Sequence, residues 1–193
     1  MHWKVNVREN EVMREQLSNV RIAIMGTKEP KAELANPQIT WFGDASKIDI
    51  EDFDFAIDMG LEDAISVMFE GSKSVIHAYS EDKASLLQSI IDILTSEQYM
   101  DLDHADVMDM LGTDCNFESI SAKLDDAEDY ATERLHDKGI SSTLLIYFQG
   151  EFSQGSVTEI VEKIESMLTP GVELACAFSY IEEDTAKISL WYR

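Results

Sequence analysis

The chain has 193 residues, enough for one large domain or two small ones with a real core. Thirty-eight acidic residues against fifteen basic ones give a formal charge of −23. A surface that negative repels nucleic acid and anionic membrane, so no nucleic acid and no membrane are expected as partners.

In chain order, VRIAIMG (20–26) is an apolar, β-branched run ending at glycine and predicts a buried strand. KEPKAELANPQ (28–38) holds two of the three prolines and reads as a loop. QITWFG (38–43) and DFDFAIDMG (52–60) predict two further strands. LEDAISVMF (61–69) reads as a short helix, and SKSVIHAYS (72–80) as strand or loop. From Glu81 the pattern changes. Leu86, Leu87, Ile90, Ile91 and Leu94 recur at helical spacing and predict an amphipathic helix over 81–95. YMDLDHADVMDML (99–111) then brings Asp101, Asp103, Asp106 and Asp109 around the start of another helix, whose apolar stripe is Val107, Met108 and Leu111.

TDCNFESIS (113–121) predicts a strand. LDDAEDYATERLHDKG (124–139) predicts a polar helix closed by Gly139. STLLIYFQG (142–150) is a strongly apolar strand. SVTEIVEKIESML (156–168) predicts a helix opened by a capping box, Ser156 with Glu159, with Val157, Ile160, Val161, Ile164 and Leu168 on one face. VELACAFSYIE (172–182) and AKISLWYR (186–193) are strands joined by the acidic turn EEDT. The fold expected is α/β (α+β): a two-layer unit over 81–193, a four-stranded sheet with covering helices, preceded by a small α/β region over 1–80. Leu145, Ile160, Ile164, Phe178 and Leu190 are expected in its core.

Cys115 and Cys176 form no CxxC pair and read as buried thiols of a reducing compartment. The N-terminal stretch lacks the apolar core of a secretory signal, and the runs IAIM and LLIYF are too short to span a bilayer. A cytoplasmic protein is the expectation.

Asp101, Asp103 and Asp106 have the opening spacing of a calcium loop. The glycine at the sixth place and the glutamate at the twelfth, where Gly112 stands, are missing, so no metal is expected. Acids in the first turn of a helix are also favoured by its dipole and its free N–H groups, which by itself accounts for Asp103 and Asp106. His2, His77, His104 and His136 have no ligand spacing; His104 lies among the acids as a candidate proton acceptor. No GxSxG, GxxxxGK[ST] or GxGxxG run occurs, so the familiar nucleophile and phosphate cradles are absent and no cofactor is expected. The aromatics Tyr147, Phe148, Phe178, Tyr180, Trp191 and Tyr192 alternate on strands and read as core.

SLLQSIIDILTSEQYMDLDHADVMDML (85–111) resembles a stretch of FtsZ, the bacterial tubulin homologue. In that family the long central helix ends and a loop of the form G-L-I-N-x-D-F-A-D-V leads into the next helix. Strand 142–150 ending in glycine, helix 156–168 and the last two strands follow in the family's order. The resemblance therefore covers about residues 84–193 and implies an FtsZ/tubulin C-terminal-like domain. In the family this loop reaches the nucleotide pocket of the next subunit in the filament, where its acids help water attack the GTP γ-phosphate. The matching acids here are Asp103 and Asp106, followed by Val107. Asp101 stands where the family usually has asparagine, His104 replaces phenylalanine, and Glu97-Gln98 replace proline-glycine. The family's GGGTGSG-type phosphate loop has no counterpart.

The resemblance implies a non-enzymatic interaction protein that touches cell-division filaments of the FtsZ type, or itself, through an acidic loop of Asp101, Asp103, His104 and Asp106. The alternative is an acidic α/β enzyme, or a small-ligand or metal-binding domain, using Asp103 and Asp106.

Overall fold

The computed structural model describes residues 20–26, 39–42, 52–78, 82–95, 104–123, 126–135, 138–179 and 185–193. The expected loop 28–38 and the acids of the turn before the last strand lie outside the described residues. The chain divides into two compact units, residues 1–95 with 103–115, and residues 96–102 with 116–193. Each is a mixed α/β arrangement built on an open sheet.

In the first unit the strands are β1 (Ile22–Met25), β2 (Ile39–Phe42), β3 (Phe55–Asp58), β4 (Ala64–Phe69) and β5 (Ser72–Ala78), in the order β2-β1-β3-β4-β5. β1 runs parallel to both neighbours, with Ile22 opposite Ile39 on one side and Phe55 on the other. A strand flanked on both edges and buried at every residue needs a continuous apolar run, which IAIM supplies.

The expectation of a helix at 61–69 is wrong. After a bend over 61–63, β4 pairs antiparallel with β3 and with β5. Phe69 lies opposite Ser72, so Glu70-Gly71 is a two-residue turn, with φ of 47° and 79°. Two consecutive positive φ values make the hairpin turn that matches strand twist. Ile65, Val67 and Phe69 alternate and are buried. This two-residue period, with β-branched side chains, outweighs the helical spacing of Leu61, Ala64, Ile65 and Met68.

Two helices complete this unit, α1 (Lys83–Thr95) and α2 (His104–Leu111). The expected stripe of α1, Leu86, Leu87, Ile90, Ile91 and Leu94, is buried throughout. So are Ser89 and Ile93, off that stripe. A helix buried on most of its circumference belongs to an interior rather than a surface.

The second unit holds a sheet in the order β6-β9-β7-β8, from β6 (Cys115–Lys123), β7 (Thr143–Gln149), β8 (Glu173–Ser179) and β9 (Thr185–Tyr192). β6 lies mostly in this unit; its first residue, Cys115, falls in the other. β9 runs antiparallel to β6 and to β7, while β7 and β8 are parallel. α3 (Ala127–Leu135) follows β6, and α4 (Gln154–Met167) makes the crossover from β7 to β8. Both helices lay their apolar residues on one sheet face. Ala131 and Leu135 of α3 and Val157, Ile160, Val161 and Ile164 of α4 join Leu144, Ile146, Phe148, Ile188 and Leu190 in one core. The expected mixed α/β arrangement, a multi-stranded open sheet covered by helices, is thus present.

Leu145, Ile160, Ile164 and Leu190 are buried as expected, but Phe178 is half-buried. It stands on β8, which has a strand neighbour on one side among the described residues. The cap of α4 also differs from expectation. Ser153, not Ser156, is the N-cap, with extended backbone, and its Oγ accepts the Ser156 N–H at 3.0 Å. The helix thus starts ahead of the expected capping box, and Glu159 is an exposed residue within it.

Candidate functional site

α1 closes at Thr95 and α2 opens at His104. The acidic stretch is therefore the connection between them and the leading turn of α2. Asp101 and Asp103 lie outside the described residues. His104 and Asp106 stand in the first turn of α2, and Asp109 is exposed one turn later.

The opposite end of α2 is held firmly within the first unit. Val107, Met110 and Leu111 are buried. Met108, expected in the stripe, is half-buried, and Met110 takes the inward position. The Gly112 N–H donates to the Met108 carbonyl at 2.8 Å, closing the last turn. The Ser74 hydroxyl of β5 donates to the Leu111 carbonyl, satisfying one of the acceptors a helix end leaves open. Asp114 Oδ1 accepts the Val75 N–H at 2.7 Å. Gly112 is required by space: a Cβ there would stand 2.9 Å from the Met108 oxygen and 3.0 Å from Phe69 Cζ. α2 is thus fixed by its C-terminal end against β4 and β5, with its acidic end leading.

α1 is fixed at its N-terminal end. Lys83 Nζ donates to the Met59 carbonyl at 2.9 Å and to the Leu61 carbonyl. These carbonyls follow β3, where Asp58 Oδ1 accepts the Gly60 N–H at 2.8 Å. These anchors of both helices thus lie at the ends remote from the acidic connection. Neither Lys83 nor Ser74 stood out from the sequence, because a polar residue at one helix or strand position carries no periodic signal.

The second unit contains a charge cluster that sequence reasoning also missed. Glu118 of β6, its side chain 4% exposed, accepts from Lys138 Nζ and from Tyr192 Oη at 2.7 Å. Arg134 Nη1 stands 3.8 Å from its second oxygen. Lys138 also lies 5.9 Å from the centre of the Tyr192 ring, within cation–π range. Reading TDCNFESIS as a strand gives this glutamate no role. In the structure it is a desolvated carboxylate met by two cations and a phenol.

Among the described residues no three His, Cys, Asp or Glu side chains group closely enough to hold a metal ion. No helix among them is long and apolar enough to cross a membrane.

No protein-family model matches the sequence, and comparison with curated proteins likewise gave no match. Solved structures do show a likeness. An FtsZ mutant from M. jannaschii is 18% identical with a TM-score of 0.48, over 58% of this chain and 38% of that one. An empty FtsZ dimer from M. jannaschii is 18% identical with a TM-score of 0.49, over 58% of this chain and 37% of that one. The chain thus spans less than two fifths of the length of these structures, and the resemblance to the FtsZ/tubulin fold is distant.

Proposed function

We propose that this chain is an FtsZ-like interaction module, with residues 84–193 the counterpart of that family's C-terminal domain, and that it meets an FtsZ-type GTPase through the acidic connection. The observation that carries the reading is the placement of the acids. α1 ends at Thr95 and α2 begins at His104, directly after Asp103. In sequence, Asp101 and Asp103 fall between the two helices and His104 and Asp106 in the first turn of α2, the stretch that the resemblance matches to the family's loop.

In this reading the chain is not itself a GTPase. β1 is followed by a single glycine, Gly26, and then Thr27-Lys28-Glu29-Pro30, with no run of glycines whose N–H groups would hold phosphates. The partner supplies the nucleotide, and a cation in its pocket offsets the repulsion between phosphate and a chain of charge −23. Surface-immobilised chain is the test: a full-length FtsZ-type GTPase with GTP should bind it saturably. The Asp103→Asn/Asp106→Asn variant should bind less well. Absence of binding to the wild-type chain at tens of micromolar GTPase would remove the proposal.

A further inference from the structure

A cation stands where a helix disfavours one. α1 opens at Lys83, and no acid lies in its first turn. The free N–H groups give that end of a helix partial positive charge, so a lysine there is unfavourable unless something nearby offsets it. Two backbone carbonyls do so. Lys83 Nζ donates to the Met59 carbonyl at 2.9 Å and to the Leu61 carbonyl. Lys138 and Lys163, by contrast, meet carboxylates.

The loop that offers these carbonyls is held by bonds that do not involve the lysine. At its start the Met59 N–H donates to the Met25 carbonyl of β1 at 2.8 Å. At its end the Asp63 carbonyl accepts the Ala78 N–H of β5 at 3.0 Å. Between them Asp58 Oδ1 accepts the Gly60 N–H at 2.8 Å. That N–H and the Met59 carbonyl belong to one peptide group, so the bond orients one of the two acceptors. Residue 60 has to be small here, since a Cβ would stand 3.0 Å from the same carboxylate oxygen. The Leu61 carbonyl, two residues on, reaches the same ammonium. Leu61 is 43% exposed and Lys83 is half-buried, so the meeting point lies within reach of solvent.

We infer that the backbone of residues 59–61 is a seat for a small primary ammonium ion, and that this chain fills it from within with Lys83. Two carbonyls on one cation are charge-assisted acceptors, stronger than a neutral pair. The tether holds the lysine head at high effective concentration, so the wild-type loop is indifferent to dissolved cations. Without that side chain the same carbonyls face a vacated position, in a chain of charge −23 that gathers cations around it. Methylammonium has the N–H donors to reach both. Tetramethylammonium has the same charge and no donor.

The experiment is urea unfolding of the full chain by tryptophan fluorescence, to which Trp41 of the first unit contributes, as methylammonium chloride replaces tetramethylammonium chloride at fixed ionic strength. Lys83→Ala should unfold at lower urea than wild type in tetramethylammonium, and should recover most of that loss saturably as methylammonium replaces it. Wild type and Lys73→Ala, which removes an exposed lysine of β5, report the general effect of the two salts, and neither should show a saturable gain. If Lys83→Ala is unfolded in tetramethylammonium, methylammonium should restore its folded circular dichroism spectrum. A Lys83→Ala variant that gains no more from methylammonium than wild type does would overturn the inference. So would an equal gain in Lys73→Ala, or a Lys83→Ala variant as stable as wild type in tetramethylammonium.

Discussion

Replacing Lys138 with methionine keeps the length of the side chain and deletes its charge. Glu118, 4% exposed, then retains the Tyr192 hydroxyl at 2.7 Å and the Arg134 guanidinium at 3.8 Å. Arg134 is 61% exposed, so water screens most of its attraction. Removing one partner of a buried pair costs about 3–5 kcal/mol when the remaining charge is uncompensated. The tyrosine and arginine reduce the expected loss to about 2–3 kcal/mol. Glu118→Gln should cost less, about 1 kcal/mol. It removes the charge that is hardest to bury, keeps an acceptor for Tyr192, and leaves Lys138, 24% exposed, able to regain water. The assay is urea unfolding followed by tryptophan fluorescence, to which buried Trp191 of the same unit contributes. The two losses are compared at a common slope. A Glu118→Gln loss equal to or larger than that of Lys138→Met would refute the reasoning, because the carboxylate would then be a net stabiliser by itself.

Gly112→Ala should destabilise by about 1–3 kcal/mol, since its Cβ meets the Met108 carbonyl at 2.9 Å and the Phe69 ring at 3.0 Å, and a thermal melt of the variant reads this directly. Ser153→Ala should cost about 1 kcal/mol in urea and Ser156→Ala much less, because Ser153 is the residue that caps α4. Burial raises the pKa of the Asp54 carboxyl, but the Arg21 N–H at 2.7 Å, the guanidinium hydrogen bond and its charge outweigh this and hold it below the usual 3.8. A carboxyl depressed in the folded state stabilises fully above its unfolded value and loses that contribution as pH falls through its folded one. Wild type should therefore exceed Asp54→Asn in urea midpoint at pH 7 by a margin that shrinks below about pH 4; an unchanged margin at pH 3 would contradict the assignment.

Most elements were legible because their residues repeat with one period. Val157, Ile160, Val161 and Ile164 could only be one face of a helix, and IAIM could only be buried. Where two periods overlap, local reading failed. LEDAISVMF satisfies helical spacing and strand alternation at once, and the tertiary pairing to β3 and β5, set by the Glu70-Gly71 turn, decides it. Ser153 and Ser156 are both acceptable caps by residue type, and in the structure the earlier one caps the helix. Polar residues that act through long-range partners left no trace in sequence. Glu118 meets Lys138, Arg134 and Tyr192 across 16 to 74 positions, and Lys83 reaches back to the carbonyls after β3. For the acidic stretch, sequence placed the acids around the start of a helix without giving its first residue; the structure opens that helix at His104, while Asp101 and Asp103 lie outside the described residues.

The measurement closest to the central claim is GTP turnover by a full-length FtsZ-type GTPase, titrated with wild-type chain and with the folded Asp103→Asn/Asp106→Asn variant. If the acids complete or occupy a partner's nucleotide pocket, wild type should change turnover saturably and the variant should lose most of that effect, with stability altered by no more than about 1 kcal/mol per residue. Identical turnover curves for the two proteins, with both shown to bind the GTPase, would contradict the claim and leave the acids as the opening turn of a helix.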